Sequence, residues 1–210
     1  MDIGAVLKAP FEDQDWLKKC LLMGVVNVLI CFTVVGIFVG LPNLYGWGVA
    51  CARNRIKGDS QIPEFGFGYI GLGYRLILSM LIYAVIAVVI TLVVGAIGML
   101  LGKIAGVLAL VWMPVQLVVG LAIALVGLPM GYRFVVHDDM MAGIKIGWAI
   151  SFIMANLGTV LMCFITIFIC ALIAGAMGIV PIVGGMFGLA IGMVWYGAAI
   201  AQLAKATNNA

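Results

Sequence analysis

Four long stretches of this 210-residue chain contain no charged residue, and they constrain its fold more than any other feature. They run over residues 20–52, 76–102, 104–132 and 146–204. An α-helix needs about 20 apolar residues to cross the hydrocarbon core of a bilayer, so each stretch is long enough for at least one crossing. The sequence therefore predicts an all-α, polytopic membrane protein with a single membrane domain over residues 1–210.

The amino-acid composition supports this prediction. Hydrophobic residues make up 66% of the chain and charged residues 9%, against about 25% charged residues in an ordinary soluble domain. So few charges cannot cover the surface of a soluble globule of this size. The net charge of +3 is small and no dense basic cluster occurs, so nucleic acid is not expected as a partner. The N-terminus lacks the pattern of a signal peptide.

The uncharged stretches predict about five transmembrane helices, within a range of four to six. The first stretch is interrupted at Gly40–Asn43, where glycine and proline break a helix. Glycines and Pro181 indicate a tight turn near residues 176–185 in the last stretch. We therefore place the transmembrane helices at 20–40, 76–102, 104–132, 146–175 and 182–204.

Two shorter segments are predicted to lie on the membrane surface as amphipathic helices. In residues 7–19, Pro10 occupies a favourable first helical position, acidic residues follow it, and Trp16 suits the headgroup layer. The second interfacial helix is placed at 44–55. The alternatives are a solvated cap on the first crossing for 7–19, and a broken, re-entrant helix pair for the first uncharged stretch.

A weak internal repeat relates the two halves of the chain. A shift of 74 residues places Gly73-Tyr74 over Gly147-Trp148, and each copy has a polar segment followed by an uncharged hairpin. The sequence thus predicts two hairpin-like repeats. With five crossings, Lys8, Lys18, Lys19 and Lys103 share one side of the membrane and the other seven basic residues share the cytoplasmic side.

No set of residues in the sequence indicates catalysis or metal binding. His137 stands beside Asp138 and Asp139, but a solvated interfacial loop explains this trio better than an acid–base or metal site. The G-x-G-x-x-G pattern at 66–71 lacks the soluble βαβ context of a dinucleotide site. The five cysteines form no Cys-x-x-Cys pair. We expect a non-enzymatic protein with no metal, no structural disulfide and no cofactor apart from bound phospholipid.

The predicted transmembrane helices also lack the residues of ion-coupled transport. Their centres carry no Asp, Glu, His, Lys or Arg, and such groups bind the coupling ion in transporters. Asn27, Gln116 and Asn156 are expected to form hydrogen bonds between helices. A small-solute channel or transporter is the alternative, since an oligomer would repeat one polar side chain around a pore.

The 28 glycines predict close helix packing, either within one subunit or between subunits. Several groups, among them Gly127 with Gly131, have the four-residue spacing that places glycines on one helix face. The groups taken as candidate packing or oligomer residues are Gly36 and Gly40; Gly98, Gly102 and Gly106; and Gly184, Gly188 and Gly192.

Residues at the predicted membrane boundaries are candidates for contact with lipid headgroups. A basic side chain near an anionic surface contributes about 1 kcal/mol to membrane binding, and ordinary topology anchoring is the alternative role. The candidates are Trp16, Lys18, Lys19, Arg53, Arg55, Lys57, Arg75 and Arg133.

Several short motifs resemble a bacterial and archaeal multi-pass membrane family catalogued only as a domain of unknown function. They lie in the segment 10–19, in Arg53-x-Arg55 followed by Gly58-Asp59, in Pro63-Glu64-Phe65, and in Tyr132-Arg133-Phe134. The chain departs from this family at Phe65, where tryptophan is usual. The chain also resembles the PopA type of envelope protein of predatory bacteria. That resemblance implies a pentameric α-helical bowl that traps lipid, and it allows an outer-membrane location.

These observations together predict a structural or lipid-organising role. We expect a homo-oligomeric ring or bowl that encloses lipid, because a wide apolar lumen holds lipid in preference to water. The expected partners are membrane lipids and further copies of the chain, and the pentameric state comes from the resemblance alone. An accessory subunit of an envelope complex is a further alternative. Sequence by itself favours the bacterial inner membrane.

Overall fold

The computed structural model describes residues 1–179 and 183–207. These residues form eight α-helices and two 3-10 turns. No β-strand occurs in those residues, so the predicted all-α class is confirmed. Five helices are long and apolar enough to cross a membrane, as predicted. They are Val34–Ile56, Ile70–Ile104, Gly106–His137, Leu157–Met177 and Gly184–Ala206.

The N-terminal segment is not the single helix predicted at 7–19. Helix α1 (Ile3–Lys8) is followed by a 3-10 turn (Ala9–Glu12). Asp13 then adopts an extended conformation, and the next helix begins only at Trp16. The missing N–H of Pro10 is compatible with a tight first turn but not with a continuing helix interior, so the chain bends where the sequence predicted continuity.

The first uncharged stretch contains two helices, α2 (Trp16–Cys31) and α3 (Val34–Ile56). The break lies at Phe32–Thr33, where extended Thr33 caps α3 by accepting a hydrogen bond from the Gly36 N–H at 2.9 Å. The predicted break at Gly40–Asn43 is wrong, because Pro42 lies inside α3. The predicted interfacial helix at 44–55 is therefore the second half of α3.

Helices α2 and α3 form an antiparallel hairpin, which is the alternative that the sequence left open. The Asn43 amide donates a hydrogen bond to Asn27 Oδ1 across the two helices at 3.0 Å. Asn27 in turn donates to the Met23 carbonyl at 2.7 Å. The prediction that Asn27 forms a hydrogen bond between helices is confirmed.

The second hairpin, here named the arm, consists of α4 (Ile70–Ile104) and α5 (Gly106–His137). Ala105 is extended and separates the two helices. The Trp112 indole N–H of α5 donates to the Val94 carbonyl of α4 at 2.9 Å, which fixes the antiparallel packing. Helix α5 ends at His137 and is followed by the C-cap residue Asp138, whose φ of 53° is left-handed.

The third hairpin joins α6 (Ile146–Ala155) and α7 (Leu157–Met177) to α8 (Val183–Ala206). The helix predicted at 146–175 is thus divided at Asn156. The Asn156 amide donates to the Phe152 carbonyl of α6 at 3.1 Å, and not to a facing helix as predicted. Part of the turn predicted at 176–185 lies outside the described residues.

Helices α3 and α8 form the centre of the body, the name used here for α1–α3 and α6–α8. Over their most apolar windows they are 56% and 67% buried. They run parallel, because Gly48 packs against Met193 and Gly197 packs against Ala52. The absence of a side chain at these glycines lets the two helices approach closely.

Charged groups from all three hairpins meet at one end of the bundle, here named the charged end. Glu12 pairs with Arg55 at 2.8 Å, and Lys19 pairs with Glu64 at 3.1 Å. The predicted separation of Lys19 and Arg55 onto opposite sides is therefore wrong, because the α2–α3 hairpin leaves this end and returns to it. At the far end of the arm, the last turn of α4 carries the basic residue Lys103.

The arm is longer than the body helices that it accompanies. Arg75 and Lys103 are separated by about 42 Å of helix at 1.5 Å per residue, which matches the full bilayer with its headgroups, about 40–45 Å. The corresponding distance on α8, from Gly184 to Lys205, is about 32 Å. The segment of α4 between these two charged residues is therefore about 10 Å longer than this segment of α8.

Candidate lipid-binding surfaces

An open apolar cavity of about 1120 Å³ separates the arm from the body. Leu76 and Met80 of α4 line one side, and Ala174 of α7 and Leu189 of α8 line the other. The tyrosines of the lining are Tyr45 of α3 and Tyr196 of α8. These two side chains were not among the residues predicted from the sequence, and no local motif distinguishes them from other membrane tyrosines.

The cavity has the chemistry of a hydrocarbon site. Its volume exceeds the roughly 300–1,000 Å³ of ordinary small-molecule pockets. A water molecule needs two to four polar partners to be stable in a cavity, and most of this lining is aliphatic or glycine. The arrangement therefore favours an apolar occupant over water or a polar solute.

The arm exposes apolar surface on nearly every side. In the most apolar windows of α4 and α5, 6% and 0% of the residues are buried within the chain. Leu92, Met99 and Val111 are examples of large side chains that are about two-thirds exposed. Such a surface is stable in contact with lipid tails or with another apolar protein surface.

Asp138 and Asp139 connect the helices at the charged end. Asp138 pairs with Arg53 of α3 at 2.8 Å and with Arg75 of α4 at 2.5 Å. Arg53 also donates to the Val135 carbonyl at 3.1 Å, near the last turn of α5. The acidic pair that the sequence placed in a solvated loop is therefore a structural junction between hairpins.

Asp139 forms the second half of this junction. It accepts hydrogen bonds from Arg133 at 2.5 Å and from Lys145 at 2.7 Å. The Arg133 guanidinium also lies over the Trp148 ring, 4.5 Å from its centroid. Asp139 thereby attaches the end of α5 to the start of α6.

Replacing Asp139 with asparagine is expected to lower the free energy of unfolding by about 1–2 kcal/mol, because two charge-assisted hydrogen bonds are weakened. Lys145 and Arg133 hold the pKa of Asp139 well below its ordinary value of 3.8. A lowered pKa contributes stability above pH 3.8 that is lost as the pH falls further. Thermal unfolding between pH 3 and 7 measures this, and the wild type should lose more stability on acidification than D139N.

Lys19 and Asp13 form a buried ion pair and do not face lipid headgroups. Lys19 Nζ lies 2.9 Å from Asp13 Oδ2, and it donates to the Ile62 carbonyl at 3.0 Å. The Ile62 N–H donates to the same Asp13 oxygen at 2.7 Å. Lys19 and Asp13 are each only 6% exposed.

The other predicted headgroup residues divide into paired and free groups. Arg55 is occupied by Glu12 and by the Ala9 carbonyl, and Trp16 packs against Phe11 and Phe187. Lys18 and Lys57 are exposed, and neither has an ion pair with a residue that the structure describes. Arg75 is paired with Asp138 but its side chain is 46% exposed. Arg53 and Arg133 are held in the junction described above.

Most of the predicted glycine positions pack within the chain. Gly36 and Gly40 of α3 lie against α2, and Gly98 of α4 lies against Trp112 of α5. Gly188 and Gly192 of α8 lie against Ala174 of α7. Around Gly106 the space is open, while Gly102 and Gly184 are half-buried.

Other glycines pack more closely than several of the predicted ones. An added Cβ would overlap the Met186 carbonyl at Gly24, the Tyr69 carbonyl at Gly46, the Pro42 carbonyl at Gly73 and the Ser79 carbonyl at Gly143. None of these four positions belongs to a G-x-x-x-G group that the sequence singled out. Their partners come from other helices or turns, so local spacing carries no signal for them.

The structure assigns no metal role to the described residues. No group of three or more His, Cys, Asp or Glu side chains there could hold a metal ion. The His137 ring packs edge-on against Tyr132, with centroids 6.5 Å apart. All five cysteines are free thiols.

Comparison with known proteins identifies the family. No curated protein and no solved structure matches the chain, so the resemblance to the PopA type stays a prediction. A family model described as a protein of unknown function, DUF4013, matches residues 29–183. This match runs from the end of α2 to the start of α8, and it confirms the resemblance to a family of unknown function. The chain belongs to the DUF4013 family.

Proposed function

We propose that this protein is a non-enzymatic membrane protein that self-associates into a ring and encloses lipid. The observation that supports the proposal is the arm, whose apolar surface is almost uncovered by the rest of the chain. An uncovered apolar helix pair is stable in a bilayer, and it also offers a continuous surface to a second subunit. Self-association through the arm would bury part of this surface.

The length difference between arm and body supports a role in organising lipid. The arm is long enough to reach from one headgroup layer to the other, whereas α8 extends for about 32 Å. Lipids next to short helices are thinned or displaced, at a cost of a fraction of a kcal/mol for each ångström of mismatch. In a ring, long arms beside shorter bodies would form a recess that holds lipid, like the bowl that the resemblance to PopA-type proteins implies.

The number of subunits in the ring and the membrane in which it lies are also part of this proposal. A pentamer and an outer-membrane location follow from the resemblance to PopA-type envelope proteins, while the sequence by itself favours the inner membrane. Exposed basic side chains, Lys18 and Lys57, would meet anionic headgroups beside the charged end, at about 1 kcal/mol each. Phospholipid and further copies of the chain are the proposed partners.

Native mass spectrometry of the full chain in a gentle detergent tests this proposal. We expect one dominant oligomer that retains several phospholipids. A lipid-free monomer would contradict the proposal. Solute flux or conductance in liposomes would instead support the alternative of a channel or transporter, and stoichiometric capture of one unrelated protein would support an accessory subunit of an envelope complex.

A substitution in the arm makes this test sharper. Gly120 of α5 is exposed, and an added Cβ there meets no atom within 4 Å. Replacing Gly120 with leucine should raise the oligomer dissociation constant about tenfold, equivalent to about 1.4 kcal/mol, if subunits meet through the arm. Gly158→Leu in α7 is the matched control, since Gly158 is equally open. Equal effects of the two variants would exclude the arm as the interface.

A further inference from the structure

We propose that the cavity between arm and body binds the acyl chains of one anionic diacyl phospholipid in each single subunit. In this arrangement the Tyr196 hydroxyl donates a hydrogen bond to an ester carbonyl of the lipid. The inference shares the lipid-organising role with the proposed function. It does not depend on a ring, because every wall of the cavity comes from one chain.

The dimensions of the cavity match one leaflet of a bilayer. Its lining on α8 runs from Gly185 to Tyr196, about 17 Å at 1.5 Å per residue. Half of the hydrocarbon core is about 15 Å. On α5 the lining includes Gly131, two residues before Arg133 of the charged end. The cavity therefore spans the depth that the tails of a lipid occupy when its headgroup lies at the charged end.

The Tyr196 hydroxyl is a polar group at the end of the cavity that lies nearer the charged end. It lies against Gly131, where an added Cβ would come within 2.7 Å of the hydroxyl oxygen. This hydroxyl has no hydrogen-bond partner among the residues that the structure describes. A hydroxyl in apolar surroundings is costly unless it is hydrogen-bonded. An ester carbonyl, located between the tails and the headgroup, would satisfy it.

The charge at this end of the cavity complements an anionic headgroup. Arg75 directly precedes the lining residue Leu76, and its side chain is 46% exposed. The junction around Asp138 and Asp139 contains four cationic side chains, those of Arg53, Arg75, Arg133 and Lys145. The two carboxylates neutralise only part of this charge, so a net positive field remains for a lipid phosphate.

Filling the cavity should remove the lipid without harming the fold. Gly175 of α7 lines the cavity, and an added Cβ there meets no atom within 4 Å. Leucine also has a better helix propensity than glycine. Gly158→Leu is the matched control in the same helix, since Gly158 has equally open space and does not line the cavity.

The experiment uses native mass spectrometry of full-length protein in micelles that contain phosphatidylglycerol. Collisional activation releases single subunits, and the lipid that stays on each subunit is counted. We expect one lipid on wild-type and Gly158→Leu subunits, and at least tenfold less on Gly175→Leu. Equal retention by the two glycine variants would overturn the cavity site, provided that both give the wild-type circular dichroism spectrum.

Ester and ether lipids test the role of Tyr196. Tyr196→Phe should lower retention of diester phosphatidylglycerol about fivefold, the value for one hydrogen bond of about 1 kcal/mol. It should leave retention of the diether analogue unchanged, because that lipid has no ester carbonyl. An equal loss for both lipids would overturn the proposed hydrogen bond.

The outcomes separate this inference from the proposed ring. A monomer that retains one lipid would contradict the ring and support the cavity site. An oligomer whose lipids all leave when single subunits are released would support the ring and overturn the cavity site. Cross-linking between Gly175→Cys and the arm of a second copy would show that protein, and not lipid, occupies the cavity.

Discussion

Lys19→Ala is expected to destabilise the protein by about 3–5 kcal/mol, the cost of removing one partner from a buried ion pair. Asp13 is only 6% exposed in the wild-type protein. Without Lys19, its carboxylate would accept hydrogen bonds only from the backbone N–H groups of Asp15 and Ile62. Glu64, the second partner of Lys19, is exposed and can be hydrated by water. Chemical unfolding in mixed micelles measures the difference in the free energy of unfolding.

Lys18→Ala is the matched control for this prediction. Lys18 is adjacent in sequence and is exposed, so its replacement should change the free energy of unfolding by less than about 0.5 kcal/mol. Similar effects of Lys18→Ala and Lys19→Ala would contradict the buried ion pair. A double variant, Asp13→Ala with Lys19→Ala, should recover part of the loss, because no unpaired charge is left buried.

The same ion pair makes stability dependent on pH in a defined way. Burial alone would raise the pKa of Asp13, but hydrogen bonds from Lys19 and Ile62 outweigh it and lower the pKa below 3.8. Burial would lower the pKa of Lys19, but hydrogen bonds to Asp13 and Glu64 raise it above 10.5. The contribution of this pair to stability should be constant between these two values, decrease below pH 3.8 and decrease above pH 10.5. Lys19→Ala should lack the part of the alkaline decrease that this pair contributes, and should therefore show a smaller decrease than the wild type.

Gly73→Leu is expected to destabilise the protein by about 3 kcal/mol or more, at the upper end of the range for overpacking. An added Cβ at Gly73 would overlap the Pro42 carbonyl of α3. A backbone carbonyl inside a helix cannot rotate away as a flexible side chain can, so α3 and α4 would have to separate. Gly46 of α3 contacts the Tyr69 carbonyl in the same way, so this interface has no space for an additional side chain.

Gly71→Leu is the matched control for Gly73→Leu. Gly71 lies in the same turn of α4, and an added Cβ there meets no atom within 4 Å. Its replacement should be neutral or stabilising by up to about 1 kcal/mol, since leucine favours a helix more than glycine does. The melting temperatures of the two variants in detergent, compared with wild type, measure the difference. Equal melting temperatures would contradict the close α3–α4 contact.

The helical membrane class was predictable because it depends on local composition. Charged residues are excluded from the hydrocarbon core, so their positions delimit the apolar helices without knowledge of their partners. The arm and the division between Ile104 and Gly106 agree closely with the predicted helices at 76–102 and 104–132. Asn27 was also identified correctly as a residue that bonds between helices.

The α2–α3 hairpin was not predicted as the main interpretation because the stronger local signal for a helix break lies at the wrong position. Pro42 is a strong helix-breaking signal in sequence, yet it is tolerated inside α3, where α4 packs against it at Gly73. Thr33 is a weak signal, yet its hydroxyl caps α3. Packing decided between the two positions, and that decision placed the N-terminus and Arg55 at the same end of the bundle.

The sequence by itself determined that this protein is helical and that several of its helices are long and apolar enough to cross a membrane, because the scarcity and spacing of charges act through solvation alone. The tertiary structure decided which groups face outward. Lys18 and Lys19 are neighbours of identical chemistry, but only Lys19 meets Asp13 and the Ile62 carbonyl. Gly71 and Gly73 differ in the same way. Contacts between distant segments make these distinctions, and no local pattern in the chain encodes them.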